Sequence, residues 1–213
     1  MKENLEPMAQ FFNDRAAIYD EVHLGHTDGG MAGKEIVAQH LPEHTQDILN
    51  LGCGTGLELP AVFARFPQAC VIGIDLAQDM LGLLHKRCAG FDVTTLCMSY
   101  FEYDFLPESF DAVISVMSLH HFTPKQKRGL YSRVRGALRP GGVFLNCDYI
   151  IDSSLEECKY FVRQALKRQR PGDTHFDTPL TIRHELNVLH QAGFSSAQVL
   201  WREGNTQLVC AAV

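Results

Sequence analysis

The sequence predicts an α/β protein built on a mostly parallel β-sheet. From about residue 45 onward, short apolar runs rich in β-formers alternate with helical patterns, which is typical of repeated βαβ units. The first of these runs leads directly into a glycine-rich turn and then a helix. With 213 residues, of which 46% are hydrophobic, the chain is long enough for one substantial core.

Each predicted strand is a β-rich run bounded by turn residues. Five such runs precede the C-terminal region, and two more flank Glu203-Gly204-Asn205, where the pattern favours an antiparallel hairpin. The predicted strands are 47–51, 70–75, 93–98, 110–117, 142–149, 198–201 and 207–211.

Helical patterns occupy the segments between these strands. The clearest begins at Thr123-Pro124, an N-cap residue followed by a proline in the first turn. The predicted helices are 7–19, 31–41, 57–66, 78–88, 124–138, one from about residue 153, and 181–192. Irregular polar stretches at 23–30 and 170–179 could cover the sheet edge as lids.

This order of elements predicts one domain over 1–213. Residues 1–44 would form a helical lid, 45–150 a ligand-binding core, 151–180 a second lid and 181–213 the final helix and hairpin. No internal repeat or linker suggests a second domain.

Composition narrows the function classes. Uncharged apolar runs are strand-length, far short of the ~20 residues that cross a bilayer, so we expect no membrane span. The seven cysteines are scattered without metal-site spacing, and together with a polar, acidic start they favour a reduced, cytoplasmic protein. A net charge of -6 gives no strong nucleic-acid signal, although Lys167, Arg168 and Arg170 form a basic cluster, which we interpret as a solvated helix face. The sequence does not predict an oligomeric state.

The strongest motif is the turn Gly52-Cys53-Gly54-Thr55-Gly56 after the first strand. Glycines allow a tight turn and close approach of a ligand to the backbone, and ligands bind at this edge of open α/β sheets. The dinucleotide pattern requires a further glycine where this chain has Leu57, and Glu58 would repel a diphosphate. A cofactor without a diphosphate therefore fits better.

Asp75 ends the second strand, nineteen positions after Gly56. A carboxylate at this place is expected to accept hydrogen bonds from the two hydroxyls of a ribose. It could equally cap the helix that follows, because aspartate is a good N-cap residue. Both roles are compatible.

Four motifs in order resemble those of class I S-adenosylmethionine-dependent methyltransferases: Asn50-Leu-Gly-Cys-Gly-Thr-Gly56, Gly73-Ile-Asp75 with Asp79-Met80-Leu81, Phe110-Asp111-Ala-Val, and Leu138-Arg-Pro-Gly-Gly142. The resemblance implies a Rossmann-like, doubly wound sheet of seven strands and S-adenosylmethionine as cofactor. It also implies that the glycine loop contacts the methionine part of that cofactor, Asp75 its ribose, and Met80 its adenine.

The predicted cofactor-binding set extends along these motifs. Two positions depart from the family pattern: Asn50 replaces a frequent carboxylate, and Ser99 stands where many members have an acid near the adenine. Ser99 can still accept a hydrogen bond, and Tyr100 could cover the ring or pack after its strand. The full set is Asn50, Gly52, Cys53, Gly54, Gly56, Asp75, Leu76, Met80, Ser99, Tyr100 and Val116.

The candidate catalytic residues are His120, His121 and Tyr19. The two histidines follow the fourth strand, where one imidazole could take a proton from a hydroxyl or ammonium acceptor. Adjacent side chains point in different directions, so we expect at most one to face the site. The alternative is that neither acts as a base, with one histidine bonded to local backbone groups and the other exposed. Family resemblance favours Tyr19 as a residue that faces the cofactor. Further acceptor-side candidates are Asp148, His175 and Asp177.

No metal requirement is expected, since the end of the fourth strand lacks the acidic ligands of metal-assisted catechol-type transferases. The favoured acceptor is a small molecule, because little chain remains beyond the core to bind a macromolecule. Two alternatives stay open: a protein or tRNA substrate, and a protein that binds the cofactor without transferring its methyl group.

Overall fold

The computed structural model describes residues 6–167 and 174–213 and contains a mixed sheet of seven strands. The order across the sheet is β3-β2-β1-β4-β5-β7-β6. The strands are β1 (Asp47–Leu51), β2 (Cys70–Asp75), β3 (Val93–Cys97), β4 (Phe110–Val116), β5 (Leu138–Tyr149), β6 (Ser196–Glu203) and β7 (Thr206–Ala212).

The first five strands are parallel, and β7 pairs antiparallel with both β5 and β6. This confirms the predicted doubly wound sheet with a C-terminal hairpin. The chain winds outward from β1 to β3 and then returns to place β4 on the other side of β1. The direction of winding reverses between β1 and β4, and a crevice at that point is the usual ligand site of such sheets.

Seven α-helices accompany the strands in the described part of the chain. They are α1 (Met8–His26), α2 (Gly30–Gln39), α3 (Leu59–Arg65), α4 (Gln78–Arg87), α5 (Pro124–Ala137), α6 (Ser154–Lys167) and α7 (Ile182–Gln191). The α5 start follows from its sequence: Thr123 and Gln126 form a reciprocal capping box, and Pro124 occupies the first turn.

Two apolar clusters cover opposite faces of the sheet. One joins α5 and α7 to strand residues such as Leu49 and Val113, and the other joins α2, α3 and α4 to Ile48 and Ala112. Because alternate residues of a strand point to opposite faces, neighbours in β1 and β4 enter different clusters. The sheet is thus buried on both sides, which leaves its carboxyl edge as the natural position for a site.

The N-terminal helix is longer than predicted. We expected helix at 7–19 and an irregular joint at 23–30, but α1 continues to His26 and the turn to α2 is confined to residues 27–29. A left-handed conformation at Gly29 (φ 74°) makes that sharp turn.

The fifth strand also begins earlier than predicted, at Leu138 rather than residue 142. Phe110 pairs with Leu138 and Ala112 with Val143, so the ladder shifts and the extra residues bulge between the two pairs. Arg139 in this bulge bonds to Asp111, at 2.8 Å, and so ties it to β4.

Two further predictions concern composition. None of the helices in the described ranges combines the length and apolar character that crossing a bilayer requires. All seven cysteines are free thiols, as the scattered spacing predicted. Most of the basic cluster at 167–170 lies outside the described residues.

Candidate functional site

The candidate site lies at the carboxyl ends of β1 and β4. Gly52 follows β1 with a φ of 69°, and a Cβ built there would lie 2.0 Å from the Oγ of Ser118, just after β4. Any side chain at position 52 would therefore collide with the neighbouring strand end. The first glycine of the loop is required for close packing across the reversal point.

Gly54 has a different role. Its φ is 48°, and a Cβ built on it would meet nothing within 4 Å. Gly54 also lines the larger of two cavities at this edge. The open space above its backbone belongs to the site, so this glycine permits close approach of a ligand.

Asp75 connects the loop to the second strand. Its carboxylate accepts hydrogen bonds from the backbone N–H of Gly54 (2.8 Å) and of Ala77 (2.9 Å). Burial raises the pKa of Asp75, while these donors partly oppose that effect. Asp75 thus bonds to the backbone just before α4, whose N-cap residue is Ala77, and it does not cap the helix as predicted; its side chain also lines the cavity.

The first cavity has a volume of about 540 Å³ and opens between the glycine loop, the ends of β2, β3 and β4, and α1. That volume is in the range of ordinary small-molecule sites. The structure brings most of the predicted cofactor-binding residues to its wall: Gly52, Gly54, Asp75, Leu76, Met80, Ser99, Tyr100 and Val116.

Three predicted residues do not line this cavity. The Asn50 side chain is fully buried, and its amide donates a hydrogen bond to the carboxyl group of Glu58. Burial raises the pKa of Glu58. Cys53 is buried behind the loop, where a Cβ on Gly73 would contact its Sγ. Gly56 packs against Leu84 of α4, so its missing side chain allows helix packing and does not open ligand space.

Tyr100 and Ser99, which the sequence predicted to lie near an adenine, both line the first cavity. The hydroxyl of Tyr100 lies 3.1 Å from that of Ser118, and burial raises the pKa of this phenol. The Oγ of Ser99 accepts a hydrogen bond from the backbone N–H of Phe101. Both side chains are therefore held by local contacts on the cavity wall.

A second cavity of about 470 Å³ adjoins the first. The two share Phe12, Tyr19, Met117 and His121 as lining residues. Its own walls come from α1, the end of β5, the start of β7 and the segment around residues 175–177. The two cavities thus meet at one group of four side chains.

Both histidines face this second cavity, contrary to the expectation that only one would do so. A short 3₁₀ turn at Leu119–His121 follows β4, so the alternation of a strand no longer applies. The two rings lie 4.1 Å apart between centroids, and both residues are buried. Only His121 also lines the first cavity.

Two carboxylates contact these histidines. The Nδ1–H of His120 donates to Oδ1 of Asp148 at 2.6 Å, and that carboxylate is fully buried at the end of β5. Asp177 approaches from the opposite side, with Oδ1 3.1 Å from Nδ1 of His121 and 3.8 Å from Nε2 of His120. The sequence named all four residues but gave no sign that they would meet.

The electrostatics of the pair are asymmetric. Burial lowers the pKa of His120, but Asp148 outweighs it and the net pKa is raised. Burial and the neighbouring His120 lower the pKa of His121. Asp177 has a pKa well below its usual range, because the surrounding imidazoles outweigh its burial.

The segment that carries Asp177 is fixed to the 3₁₀ turn. Thr178 donates its N–H to the carbonyl of His120 at 2.6 Å, and its hydroxyl donates to the same oxygen at 3.2 Å. Nearby, His175 stacks on Phe11 of α1 with centroids 3.5 Å apart, and burial lowers the pKa of His175 to about 4. The two predicted lids therefore contact each other over the second cavity.

Phe12 and Met117, two of the four residues at the junction of the cavities, were not predicted from the sequence. Phe12 packs edge-on to Tyr19 and His121 from α1. Met117 directly follows β4 and has a φ of 53°, an uncommon conformation for a side chain of this size. Phe12 lies four residues after the start of α1 and seven before Tyr19, a helical spacing that could have indicated the inner face of the helix. No local sequence pattern indicates that Met117 lines the site.

Comparison with known proteins shows that part of this chain is similar to methyltransferases. A family model described as "Methyltransferase domain" matches residues 48–142, which span the glycine loop through the start of β5. The chain is 32% identical over 98 residues to cyclopropane-fatty-acyl-phospholipid synthase of Escherichia coli (strain K12), a match that covers 46% of this chain and 25% of the relative.

Longer matches are weaker in identity. Carboxy-S-adenosyl-L-methionine synthase of Helicobacter hepaticus is 25% identical over 171 residues, covering 73% of this chain and 71% of that protein. Among solved structures, the DhpI–SAH complex superposes with a TM-score of 0.73 at 17% identity, covering 95% of this chain and 93% of that one. The structural likeness confirms the fold.

Proposed function

We propose that this chain is a class I S-adenosylmethionine-dependent methyltransferase that binds S-adenosylmethionine in the first cavity and methylates a small molecule in the second. The observation that carries the proposal is the junction of the two cavities at Phe12, Tyr19, Met117 and His121. A methyl donor on one side of that junction and an acceptor on the other would face each other across it.

The residues of the first cavity fit this cofactor. Gly54 leaves open space above the loop for a closely approaching ligand, and Asp75 offers a partly buried carboxylate beside it for ribose hydroxyls. Met80 is almost fully buried at the inner wall and offers an apolar surface for a flat ring. This cofactor needs no positive charge to bind a phosphate. Among the described residues that line the first cavity, His121 is the one basic side chain.

The cofactor would supply a sulfonium methyl group with a neutral leaving group, so the chain's main task is alignment. Tyr19 lines both cavities, and burial next to Asp75 raises its pKa, which keeps the phenol neutral. A neutral phenol can position a ligand by donating a hydrogen bond. His120 and His121 are the remaining candidates for contact with the acceptor, and His121 is better placed because it lines both cavities.

The acceptor class follows from the second cavity. Its volume suits a small molecule, and α1 and residues 175–177 cover it from two sides. A protein or tRNA substrate is the alternative, for which the basic cluster at 167–170 would provide docking. Cytoplasmic location and one functional domain over 1–213 remain predictions from sequence.

Cofactor binding is tested by calorimetry with the full chain. Asp75→Ala should weaken the affinity for S-adenosylmethionine by about one to two decades, because hydrogen bonds to a charged group contribute roughly 1.5–3 kcal/mol. Asp152→Ala, which removes an exposed carboxylate paired with Arg202, is the matched control and should bind as the wild type does. Equal affinities in both variants would remove Asp75 from the site.

Transfer is tested with S-adenosylmethionine carrying a labelled methyl group in a cell extract. Label in the small-molecule fraction, together with S-adenosylhomocysteine, is expected from the wild type and reduced with Asp75→Ala. Label in protein or RNA would instead favour the macromolecular alternative. Binding without any S-adenosylhomocysteine would contradict methyl transfer and favour a protein that only binds the cofactor.

A further inference from the structure

We propose that His120, His121 and Asp177 bind one divalent transition-metal ion, of the Zn²⁺ type, in the wall of the second cavity. The three side chains each offer one ligand atom, and these atoms lie within 4.8 Å of one another. They come from two segments that Thr178 locks together through two hydrogen bonds to His120. The sequence predicted no metal requirement, because it did not reveal that Asp177 joins the histidines.

The distances suit a common ion. Two ligands at the usual Zn–N and Zn–O distances of about 2.1 Å, in tetrahedral geometry, stand about 3.4 Å apart. Oδ1 of Asp177 lies 3.1 Å from Nδ1 of His121 and 3.8 Å from Nε2 of His120, values on either side of that spacing. Only small side-chain movements would be needed to close the set around an ion.

Two buried polar atoms give further support. Nδ1 of His121 and Oδ1 of Asp177 are both inaccessible and lie 3.1 Å apart, and their contact with each other lacks good hydrogen-bond geometry. Buried polar atoms without partners are uncommon in folded proteins and indicate a missing ion or water. A metal ion between these atoms would satisfy both lone pairs at once.

His120 has the outer partner that metal-binding histidines usually have. Its Nδ1–H donates to the fully buried Asp148, which fixes the tautomer and leaves Nε2 as the nitrogen on the Asp177 side. A carboxylate behind a ligand histidine orients the ring and strengthens its donor nitrogen. Asp148 is therefore assigned as a positioning residue for this site.

The donor set selects the class of metal. Two imidazole nitrogens and one carboxylate oxygen suit Zn²⁺ and similar ions, whereas Mg²⁺ and Ca²⁺ prefer oxygen ligands alone. Three protein ligands leave at least one coordination position open, as in catalytic zinc sites. The ligands line the second cavity, so the open position would face the proposed acceptor.

This placement suggests a role that rests on the proposed function. An acceptor hydroxyl bound to the ion would lose its proton to solvent more readily, because a bound cation lowers the pKa of a hydroxyl ligand. The acceptor would then carry an oxygen donor group able to bind a metal. The histidines would act as ligands, and no imidazole would be needed as a base.

The test uses the full chain after treatment with a chelator. Co²⁺ is added first, and one equivalent should give visible absorption bands of the low-coordinate ion, which Zn²⁺ should then displace. Calorimetry with Zn²⁺ should show one site per chain, and Zn²⁺ should raise the melting temperature. Absence of a one-to-one complex would overturn the proposal and return the histidines to the base role predicted from sequence.

Matched variants locate the site. Asp177→Asn and His121→Ala should abolish the Co²⁺ bands. They should also weaken Zn²⁺ binding by more than Asp148→Asn, for which we expect a loss of affinity of roughly 10–100-fold because Asp148 lies behind His120. His190→Ala, which removes an exposed histidine on α7, should leave binding unchanged. Equal loss in His190→Ala, or none in Asp177→Asn, would overturn the assignment.

Two controls keep the outcome decisive. Circular dichroism checks the fold of each variant, and Asp177→Asn carries the test if His121→Ala does not fold, since Asp177 is partly exposed. S-adenosylmethionine affinity is measured in parallel without metal. Cofactor binding without metal binding would defeat this inference alone, whereas loss of cofactor binding by the wild type would defeat the proposed function.

Discussion

Replacing Gly54 with alanine separates the ligand role of the loop from its structural role. The φ of Gly54 is 48°, in the left-handed region, where a residue with a Cβ costs roughly 1–2 kcal/mol. The added methyl group meets no protein atom within 4 Å, so no steric penalty is added to this backbone cost. At about 2–4 °C per kcal/mol for a chain of this size, the melting temperature should fall by about 2–8 °C.

The same methyl group should act strongly on cofactor binding. Gly54 lines the first cavity, so its new Cβ would occupy space that the proposed ligand requires. We expect the dissociation constant for S-adenosylmethionine to rise at least about tenfold, which corresponds to about 1.4 kcal/mol. Isothermal titration calorimetry measures the affinity and thermal melting measures the stability.

Gly90→Ala is the matched control for this experiment. Gly90 also has a positive φ (93°) with no atom within 4 Å of a built Cβ, but it lines neither cavity. Its substitution should lower the melting temperature without changing cofactor affinity. Equal dissociation constants for the Gly54 and Gly90 variants would refute the placement of the cofactor over this loop.

Three further perturbations address the fold and the lid. Lys127→Met should lower the free energy of unfolding in urea by about 3–5 kcal/mol, because the buried carboxylate of Glu185 loses the ammonium group that lies 2.7 Å from it. Lys125→Met, at an exposed position, is the control and should be nearly neutral. Burial raises the pKa of Asp111, but the N–H of Asp47 and the Arg139 guanidinium outweigh it, so the net pKa is lowered. The stabilisation from Asp111 is therefore present above an unfolded-state pKa of about 3.9 and lost as pH falls through the lower folded value, and the deficit of Asp111→Asn should shrink in acid unfolding curves. Deleting residues 1–20 should impair turnover and cofactor affinity more than the circular dichroism of the sheet, because Phe12 and Tyr19 line both cavities; loss of the whole fold would show that α1 is structural core.

The strands and the first cavity were predictable because their signals are local. β1 and β2 match their predicted bounds, since apolar runs end at turn residues in each case. Positive φ values at Gly52 and Gly54 follow from a turn that only glycine makes easily. Side-chain direction was less predictable: Asn50 sits at the expected strand position, yet it bonds to Glu58 behind the loop.

The arrangement of the second cavity could not be predicted from the sequence, and the reason is physical. His120 and Thr178 bond across 58 residues of chain, and no periodicity in the sequence specifies such a pairing. The prediction that only one histidine faces the site assumed the alternating side-chain directions of a strand. His120 and His121 lie in a 3₁₀ turn, where this alternation does not apply and both imidazoles face the same cavity. Met117 adopts a left-handed conformation, which glycine or asparagine would have indicated in the sequence but methionine does not.

The division between predictable and unpredictable parts coincides with the division between the two cavities. The family match at 48–142 contains Gly52, Gly54, Asp75 and Val116, which line the first cavity. Much of the second cavity comes from outside that span: Phe11, Tyr149, His175, Asp177 and Thr206. A shared core can therefore keep one cofactor while the segments around it change the acceptor, because function depends on the site and not on the fold. For this chain, the acceptor proposed for the second cavity has to be sought among molecules that His120, His121 and Asp177 can bind, because much of that cavity lies outside the family match.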